Sequence, residues 1–511
     1  MLSKRTYRKS QIPVLMGIIL TTTLLPTLAR SQNTRLQASD LTALGRKEIP
    51  DTPAGRRVRQ YLDVLNSGDR KAMRDYITEN YSSSFLQNPP LYIHLTIQMG
   101  FYYASGGAGY EFYSMVDSKS NEARAVLYNV LTGSWVELRI PFSEEPPHKI
   151  NQFISFDPAP APRGVQRSTK LGDEEIVQRL EICLTKITEG DEFSGVVLLA
   201  KNGRSLFHKA YGLASKSYQV PNRLDTKFNI ASVGKIFTAV AIAQLADQGK
   251  LSFSDPVGKY VPSDWLKPEI SQKIQLRHLL THTSGLGDYF KKLYSQKTPL
   301  VFRNLDDYRP LVADSTLAFE PGTKWSYSNT GALLLGVVIE KVTGQSYFDY
   351  VREHIYEPTG MVNTDAYDKD TPVSNRATGY MKEYSDKGVV WRSNHFTRVM
   401  KGMPSGGSFS TAEDMLKFDA ALRSHKLLSP EYTQIVLTGK PELNSWHHGY
   451  GFFVSQSDAG HTAGHSGDGS GISCQFKMYL DSGYTVVVLS NYGPPAATTI
   501  EQVIHQMIAS R

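Results

Sequence analysis

Apolar residues recur along this chain with two periods, one fitting helices and one fitting strands. Between Arg57 and Asn66 the positions Val58, Tyr61, Leu62 and Leu65 keep helical spacing. The turn formers Asn66-Ser67-Gly68-Asp69 stop that helix, and a second is predicted over residues 70–79. Alternating segments at 109–116, 122–131, 135–141 and 150–156 then read as strands. Helices followed by strands predict an α+β cone, a few helices on a curved sheet. Further on, 195–200 and 205–211 flank Lys201-Asn202-Gly203-Arg204, whose Asn-Gly pair signals a hairpin. Strand-like runs return at 449–455, 473–480 and 484–491, before a helix over 496–510. Strands at both ends of a helical middle predict an antiparallel sheet flanked by helices.

The chain has 511 residues, more than one core of about 250–300 residues accommodates. Two domains are expected, and the spacer announces itself as Asp157-Pro158-Ala159-Pro160-Ala161-Pro162-Arg163. Alternating Pro holds such a segment extended. The division is then a small domain at 40–156, a spacer at 157–170 and a large domain at 171–511. Residues 1–31 carry Lys4, Arg5, Arg8, Lys9 and Arg30, no acid, and an apolar run over 12–28 ending in small residues. That pattern is a signal peptide, with an uncleaved membrane anchor as the alternative. The body of the protein is therefore expected to be exported, periplasmic or secreted. Of 56 basic residues these five belong to the leader, leaving 51 against 49 acidic, a net +2 rather than +7. The basic charge is thus no argument for a nucleic-acid partner. Two cysteines, Cys183 and Cys474, exclude a disulfide framework and a cysteine-rich zinc module.

Three stretches carry chemistry. Ser232 and Lys235, in Ile230-Ala231-Ser232-Val233-Gly234-Lys235, open an apolar run to Leu245, which predicts a buried helix stopped by Gly249. A Ser and a Lys three apart share one helical face. A helix N-terminus stabilises negative charge on the Ser oxygen, and a desolvated Lys has a lowered pKa. The competing reading is an N-cap Ser with a surface Lys. Tyr327 and Asn329, in Ser326-Tyr327-Ser328-Asn329, stand before a helical run over 332–343. A Tyr can act as general base, and an Asn offers both donor and acceptor; a plain turn is the alternative. His465, in Gly464-His465-Ser466-Gly467-Asp468-Gly469, leads toward the strand at Ser473, where Gly permits close approach of a substrate backbone. A Gly-rich hairpin with a surface His competes there. His447, His448 and His461 match no metal spacing and read as surface or loop residues. No metal or cofactor is called for.

The order of the three motifs, separated by about 95 and 140 residues, resembles the serine β-lactamase and penicillin-binding-protein superfamily, whose third motif is usually Lys-Thr-Gly. More narrowly it resembles the class C β-lactamase-like serine hydrolases, which include D-stereospecific peptidases and esterases. Leu279-Leu280-Thr281-His282-Thr283-Ser284-Gly285-Leu286, Phe319-Glu320-Pro321-Gly322 and Ser405-Gly406-Gly407 match as well. The resemblance implies a two-domain α+β chain whose large domain is a β-lactamase-like α/β fold. It implies Ser232 as nucleophile of an acyl-enzyme, with Lys235 and Tyr327 sharing the proton work in either order. Asn329, His465, Ser466, Gly467 and Asp468 would bind substrate, the backbone N–H groups of Ser232 and Asp468 forming the oxyanion hole. Expected substrates are amides or esters: D-amino-acid peptides, small-acyl esters or β-lactams, cell-wall derived among the candidates. The alternative is a penicillin-binding-type sensor that acylates and stalls. His465 in place of a fixed cation weakens the case for β-lactams. The small domain resembles the nuclear transport factor 2-like fold, with its Leu65-Asn66-Ser67-Gly68-Asp69 start; it offers no convincing acid–base pair, so packing, binding or homodimerisation is expected of it rather than catalysis.

Overall fold

The structure, a computed structural model, describes residues 48–510 except 118, 164, 166–170, 296–301, 386–387 and 398. The expected leader (1–31, with its apolar run 12–28) and part of the spacer lie outside the described residues. Among the described residues no helix is long and apolar enough to cross a membrane.

The N-terminal lobe holds three helices, α1 (Pro53–Ser67), α2 (Arg70–Asn80) and α3 (Leu91–Ala104), over strands β1 (Glu111–Val116), β2 (Glu122–Tyr128), β3 (Trp135–Pro141) and β4 (Ser155–Pro158). The strands pair antiparallel in the order β1-β2-β3-β4. Local chemistry sets the helix ends. The Thr52 hydroxyl accepts the Gly55 N–H, Pro53 opens α1, and Gly68 at φ 64° closes it. Asp69 caps α2 through the N–H groups of Lys71 and Ala72. Val58, Tyr61, Leu62 and Leu65 do face the core, with Met73 and Ile77. α3 escapes the periodicity because its apolar residues surround the whole helix, while buried His94 and Gln98 interrupt the face that packs. The last strand differs too. Ile150 makes only a lone parallel bridge to Tyr81, and the strand proper reaches the Pro/Ala run, pairing Asp157 with Glu137 and Pro158 with Val136.

The rest of the chain is an antiparallel sheet between helical layers. After α4 (Asp173–Glu189) come β5 (Gly195–Lys201) and β6 (Arg204–Tyr211); after the middle region come β9 (Phe453–Ser457), β10 (Gly460–Gly469), β11 (Ile472–Tyr479) and β12 (Tyr484–Ser490), then α8 (Ala496–Ala509). The order β9-β10-β11-β12-β5-β6 joins the two ends of the region through the β12–β5 pair. Between them lie β7 (Phe228–Asn229), α5 (Lys235–Asp247), α6 (Asn329–Thr343), β8 (Phe409–Ser410) and α7 (Ala412–Arg423). Alternation in β5 shows why its run is apolar throughout. Val196 and Leu198 enter the core with α5, whereas Val197 and Leu199 enter the core with α4 and α8. Cys183 and Cys474 are both buried.

The described residues form one compact unit. The loop after β2 helps to make it so: Leu131 is buried in the core of α4 and α8. The Arg179 guanidinium donates to the carbonyls of Val130 and Leu131, both at 2.8 Å, and the Ser510 hydroxyl to that of Thr132 at 2.9 Å.

Candidate active site

The α-helix of the first motif starts at Lys235; Ser232 precedes it in a 3-10 turn, Ala231–Gly234. Ser232 therefore is not the N-cap, and every residue of α5 from Lys235 to Ala246 is buried. Ala231 takes φ 41°, a left-handed conformation that costs a non-glycine residue about 1–3 kcal/mol. The surroundings impose it. The Ala231 N–H donates to the Asn229 side chain (2.9 Å), and its carbonyl accepts from the Gly407 N–H (2.9 Å). The Asn229 amide in turn donates to the Gly407 carbonyl at 2.9 Å. Two glycines allow the approach: a Cβ on Gly406 would lie 2.3 Å from the Ala231 oxygen, and one on Gly467 2.2 Å from the Ile230 oxygen. Gly467 thus lets β10 lie directly against the turn that carries Ser232.

Lys235 stands at the centre. Its Nζ donates to Ser232 Oγ at 3.0 Å, to Asn329 Oδ1 at 2.7 Å and to the Ser405 carbonyl. It also lies over the Tyr327 ring, 4.9 Å from the centroid. Burial lowers the Lys235 pKa to about 7, and the Asp288 charge acts the other way. Asn329 is the first residue of α6, set there by the Ser328 hydroxyl, which accepts the Gly331 N–H at 3.0 Å. Its amide bridges two groups, Oδ1 facing Lys235 and Nδ2 donating to Asp288 Oδ2 at 2.7 Å. The Asp288 carboxylate fixes which way the amide points, because a carboxylate only accepts.

Tyr327 is held as a neutral phenol. Burial raises its pKa well above the usual value, against a smaller opposing effect from its hydrogen bond with Ser232. Its ring packs on His282 (4.4 Å between centroids), which packs on His448 (4.8 Å), with His465 6.4 Å from both Tyr327 and His448. All three imidazoles are buried. Desolvation pushes their pKa values down, to about 4 for His448 and well below 6.5 for His282 and His465. Backbone partners select the tautomers. Nδ1–H donates to a carbonyl in His465 (Ser466, 2.5 Å) and His448 (Gly449, 2.8 Å), whereas His282 Nδ1 accepts the Ser328 N–H at 3.2 Å. His448 is thus no surface residue: it is buried beside the site, while His461 is exposed and pairs with Asp481. The reason is local, since His448 packs edge-on to Phe453 at the start of β9.

A cleft of about 960 Å³ opens over Ser232 and is lined also by Tyr327, Asn329, His465, Ser466 and Asp468. The third motif lies within β10 itself, not in a turn before the next strand, with His465 opposite Phe476 and Asp468 opposite Ser473. The Asp468 side chain is exposed and hydrogen-bonds Ser473. Six of the eight expected site residues therefore line one cleft, while Lys235 bonds Ser232 from beneath it and Gly467 packs against Ile230. Asp288, Asn229, and the partners His282, Ser405 and His448 join them. The last three belong to stretches or residues noted in the sequence, but nothing there signals that Ser405 touches Lys235, that His282 packs on Tyr327 or that His448 packs on His282. Among the described residues no cluster of His, Cys, Asp or Glu is arranged to hold a metal ion.

Fold and site together define a serine hydrolase. The family model for Beta-lactamase matches residues 181–506, and the chain belongs to that family. A penicillin-binding protein of Bacillus subtilis (strain 168) is 30% identical over 328 residues, 61% of this chain and 71% of that protein. The teichoic acid D-alanine hydrolase of Staphylococcus aureus is 28% identical over 310 residues, 60% of this chain and 72% of that one. Among solved structures, the penicillin binding protein from Bacillus halodurans is similar at 33% identity with a TM-score of 0.56, covering 62% of this chain and 97% of that one.

Proposed function

We propose that the protein is an exported hydrolase that cleaves an amide or ester of a small acyl group, such as a D-alanyl peptide or D-alanyl ester, through an acyl-enzyme on Ser232. The observation that carries this reading is the Lys235 amine, 3.0 Å from Ser232 Oγ with its pKa lowered to about 7. A base works best when its pKa lies near the working pH. The neutral amine takes the Ser232 proton as Oγ attacks the carbonyl carbon. The N–H groups of Ser232 and Asp468 hold the resulting oxyanion, each such donor contributing about 3–4 kcal/mol. The proton then passes through the Tyr327 phenol to the leaving nitrogen or oxygen, whose bond to carbon breaks. Water, deprotonated by the same amine, releases the acid. Asn329 keeps the Lys235 amine in line and offers its amide to substrate. The named relatives support a D-alanyl substrate, since one of them is a D-alanine hydrolase. Residues 1–31 would direct export, and the lobe at 40–156 would serve as an accessory module beside the hydrolase at 171–511. Intact mass after exposure to a fluorophosphonate tests the reading. A single adduct on the wild type, absent from Ser232→Ala, together with turnover of D-alanyl esters supports it. No adduct refutes it, and a burst without turnover makes the protein an acylated sensor instead.

A further inference from the structure

The third motif leaves the cleft without its usual cation. His465 donates Nδ1–H to the Ser466 carbonyl at 2.5 Å, its Nε2 is buried with no partner among the described residues, and burial keeps the ring neutral. A different cation, Arg376, lines the same cleft. Its backbone bridges to Lys227: the Lys227 N–H donates to the Asn375 carbonyl at 2.7 Å, and the Ala377 N–H to the Lys227 carbonyl at 3.0 Å. Lys227 leads directly into β7 and then into Ser232. The Arg376 guanidinium lies 5.6 Å from the Phe409 ring centroid, and Phe409 pairs with Asn229 across β7 and β8. Its hydrogen-bond partners among the described residues are two carbonyl oxygens, of Asp368 at 3.0 Å and Lys369 at 2.7 Å. The carboxylates of this region are committed elsewhere: Asp368 to Arg303 and Lys401, Asp370 to Arg303. The Asp370 charge reaches Arg376 only from a distance, and burial outweighs it. Lys369 lines the cleft as well and donates to the His395 carbonyl.

A half-buried guanidinium held by carbonyls, with no described carboxylate in ion-pair contact, has lost part of its hydration without gaining a close counter-ion. Its planar fork suits a carboxylate or a phosphate. We infer that Arg376, with Lys369 beside it, forms an oxyanion-binding subsite of the Ser232 cleft that selects substrates carrying a carboxylate or phosphate away from the scissile bond. The inference rests on the hydrolase reading of Ser232.

The test uses three esters of one acyl group whose alcohol ends in a neutral amide, a carboxylate or a phosphate. Within each protein, kcat/KM for each anionic ester is divided by that for the neutral one. The wild type should favour at least one anionic ester by roughly ten- to a hundredfold, the scale of a charge-assisted hydrogen bond. Arg376→Gln should bring that ratio close to one through KM, and Arg376→Lys should keep part of it. The ester with the larger wild-type ratio identifies the anion recognised. Inorganic phosphate should inhibit neutral-ester turnover by the wild type competitively, and Arg376→Gln should weaken that inhibition to the same degree. A ratio that survives Arg376→Gln, or a wild type with no anionic preference, overturns the inference. Because the ratio is taken within each variant, a loss of folded protein does not imitate the effect. Ser232→Ala separates the two readings: turnover that persists there refutes the hydrolase proposal, whatever Arg376 does.

Discussion

Replacing Asp288 by Asn removes one charge while keeping the size of the side chain, and the geometry gives the consequence a sign. Asp288 reaches Lys235 through the Asn329 amide, by two hydrogen bonds of 2.7 Å. Carboxylate and amine then stand roughly 7 Å apart, an interaction of about 2 kcal/mol at an effective dielectric near 20. At about 1.4 kcal/mol per pKa unit, losing it should lower the Lys235 pKa by about 1–2 units from its value of about 7. Lys235 would accept the Ser232 proton only as a neutral amine, so the acid limb of kcat/KM marks its protonation. A lower pKa keeps the amine neutral to more acid conditions, and the limb should move down in pH by about 1–2 units. The plateau should fall as well, on the order of tenfold, because the introduced amide could donate as well as accept and would no longer dictate how Asn329 points. The assay is a pH–rate profile of Asp288→Asn from about pH 4 to 9 on a D-alanyl ester, beside the wild type. A limb that stays in place, or moves upward, refutes the coupling of Asp288 to Lys235.

Two further outcomes follow from the same packing. Gly467→Ala places a Cβ 2.2 Å from the Ile230 oxygen, so β10 must shift from Ser232; kcat/KM should fall on the order of a hundredfold and stability by about 1–3 kcal/mol, and unchanged kinetics would contradict the placement. Lys235→Met should abolish turnover yet stabilise the fold, by roughly 1–3 kcal/mol at about pH 6. The folded pKa of about 7 lies below the ordinary 10.5, so the cost of burying the charge is full below the folded value and fades as pH rises toward the unfolded one. The gain in Tm should therefore be larger at about pH 6 than at about pH 9, and the reverse order would sink the argument.

The ordered motifs make the large lobe and the residues around Ser232 legible, because their chemistry is written in short contiguous strings. What surrounds them is not. Asp288 looks like any loop carboxylate until the fold brings it to Asn329, and Ser405 acts on Lys235 through its backbone carbonyl, which every residue has. His448 looks like a surface histidine because periodicity cannot show that two elements close over a side chain. The helix Leu91–Ala104 escapes for the opposite reason: apolar on all sides, it has no face for a period to reveal.

The neutral His465 becomes intelligible from the demands on Lys235. Burial already lowers the Lys235 pKa to about 7, with the Asp288 charge set against it. A fixed cation at position 465 would act on the same buried amine. Within about 6–8 Å, at an effective dielectric near 20, repulsion of about 2–3 kcal/mol would push that pKa down by a further 1–2 units. The amine would then be neutral over a wider range but a weaker base for the Ser232 proton. An imidazole made neutral by burial, its Nδ1–H tied to the Ser466 carbonyl, avoids this. Anion recognition then falls to a cation set apart from the amine. Arg376 meets that requirement, since it lines the cleft yet is anchored on the Asp368 and Lys369 carbonyls rather than on any group that touches Lys235. Separating the binding cation from the basic amine in this way would let the cleft favour an anionic substrate without changing the proton affinity on which the proposed acylation depends.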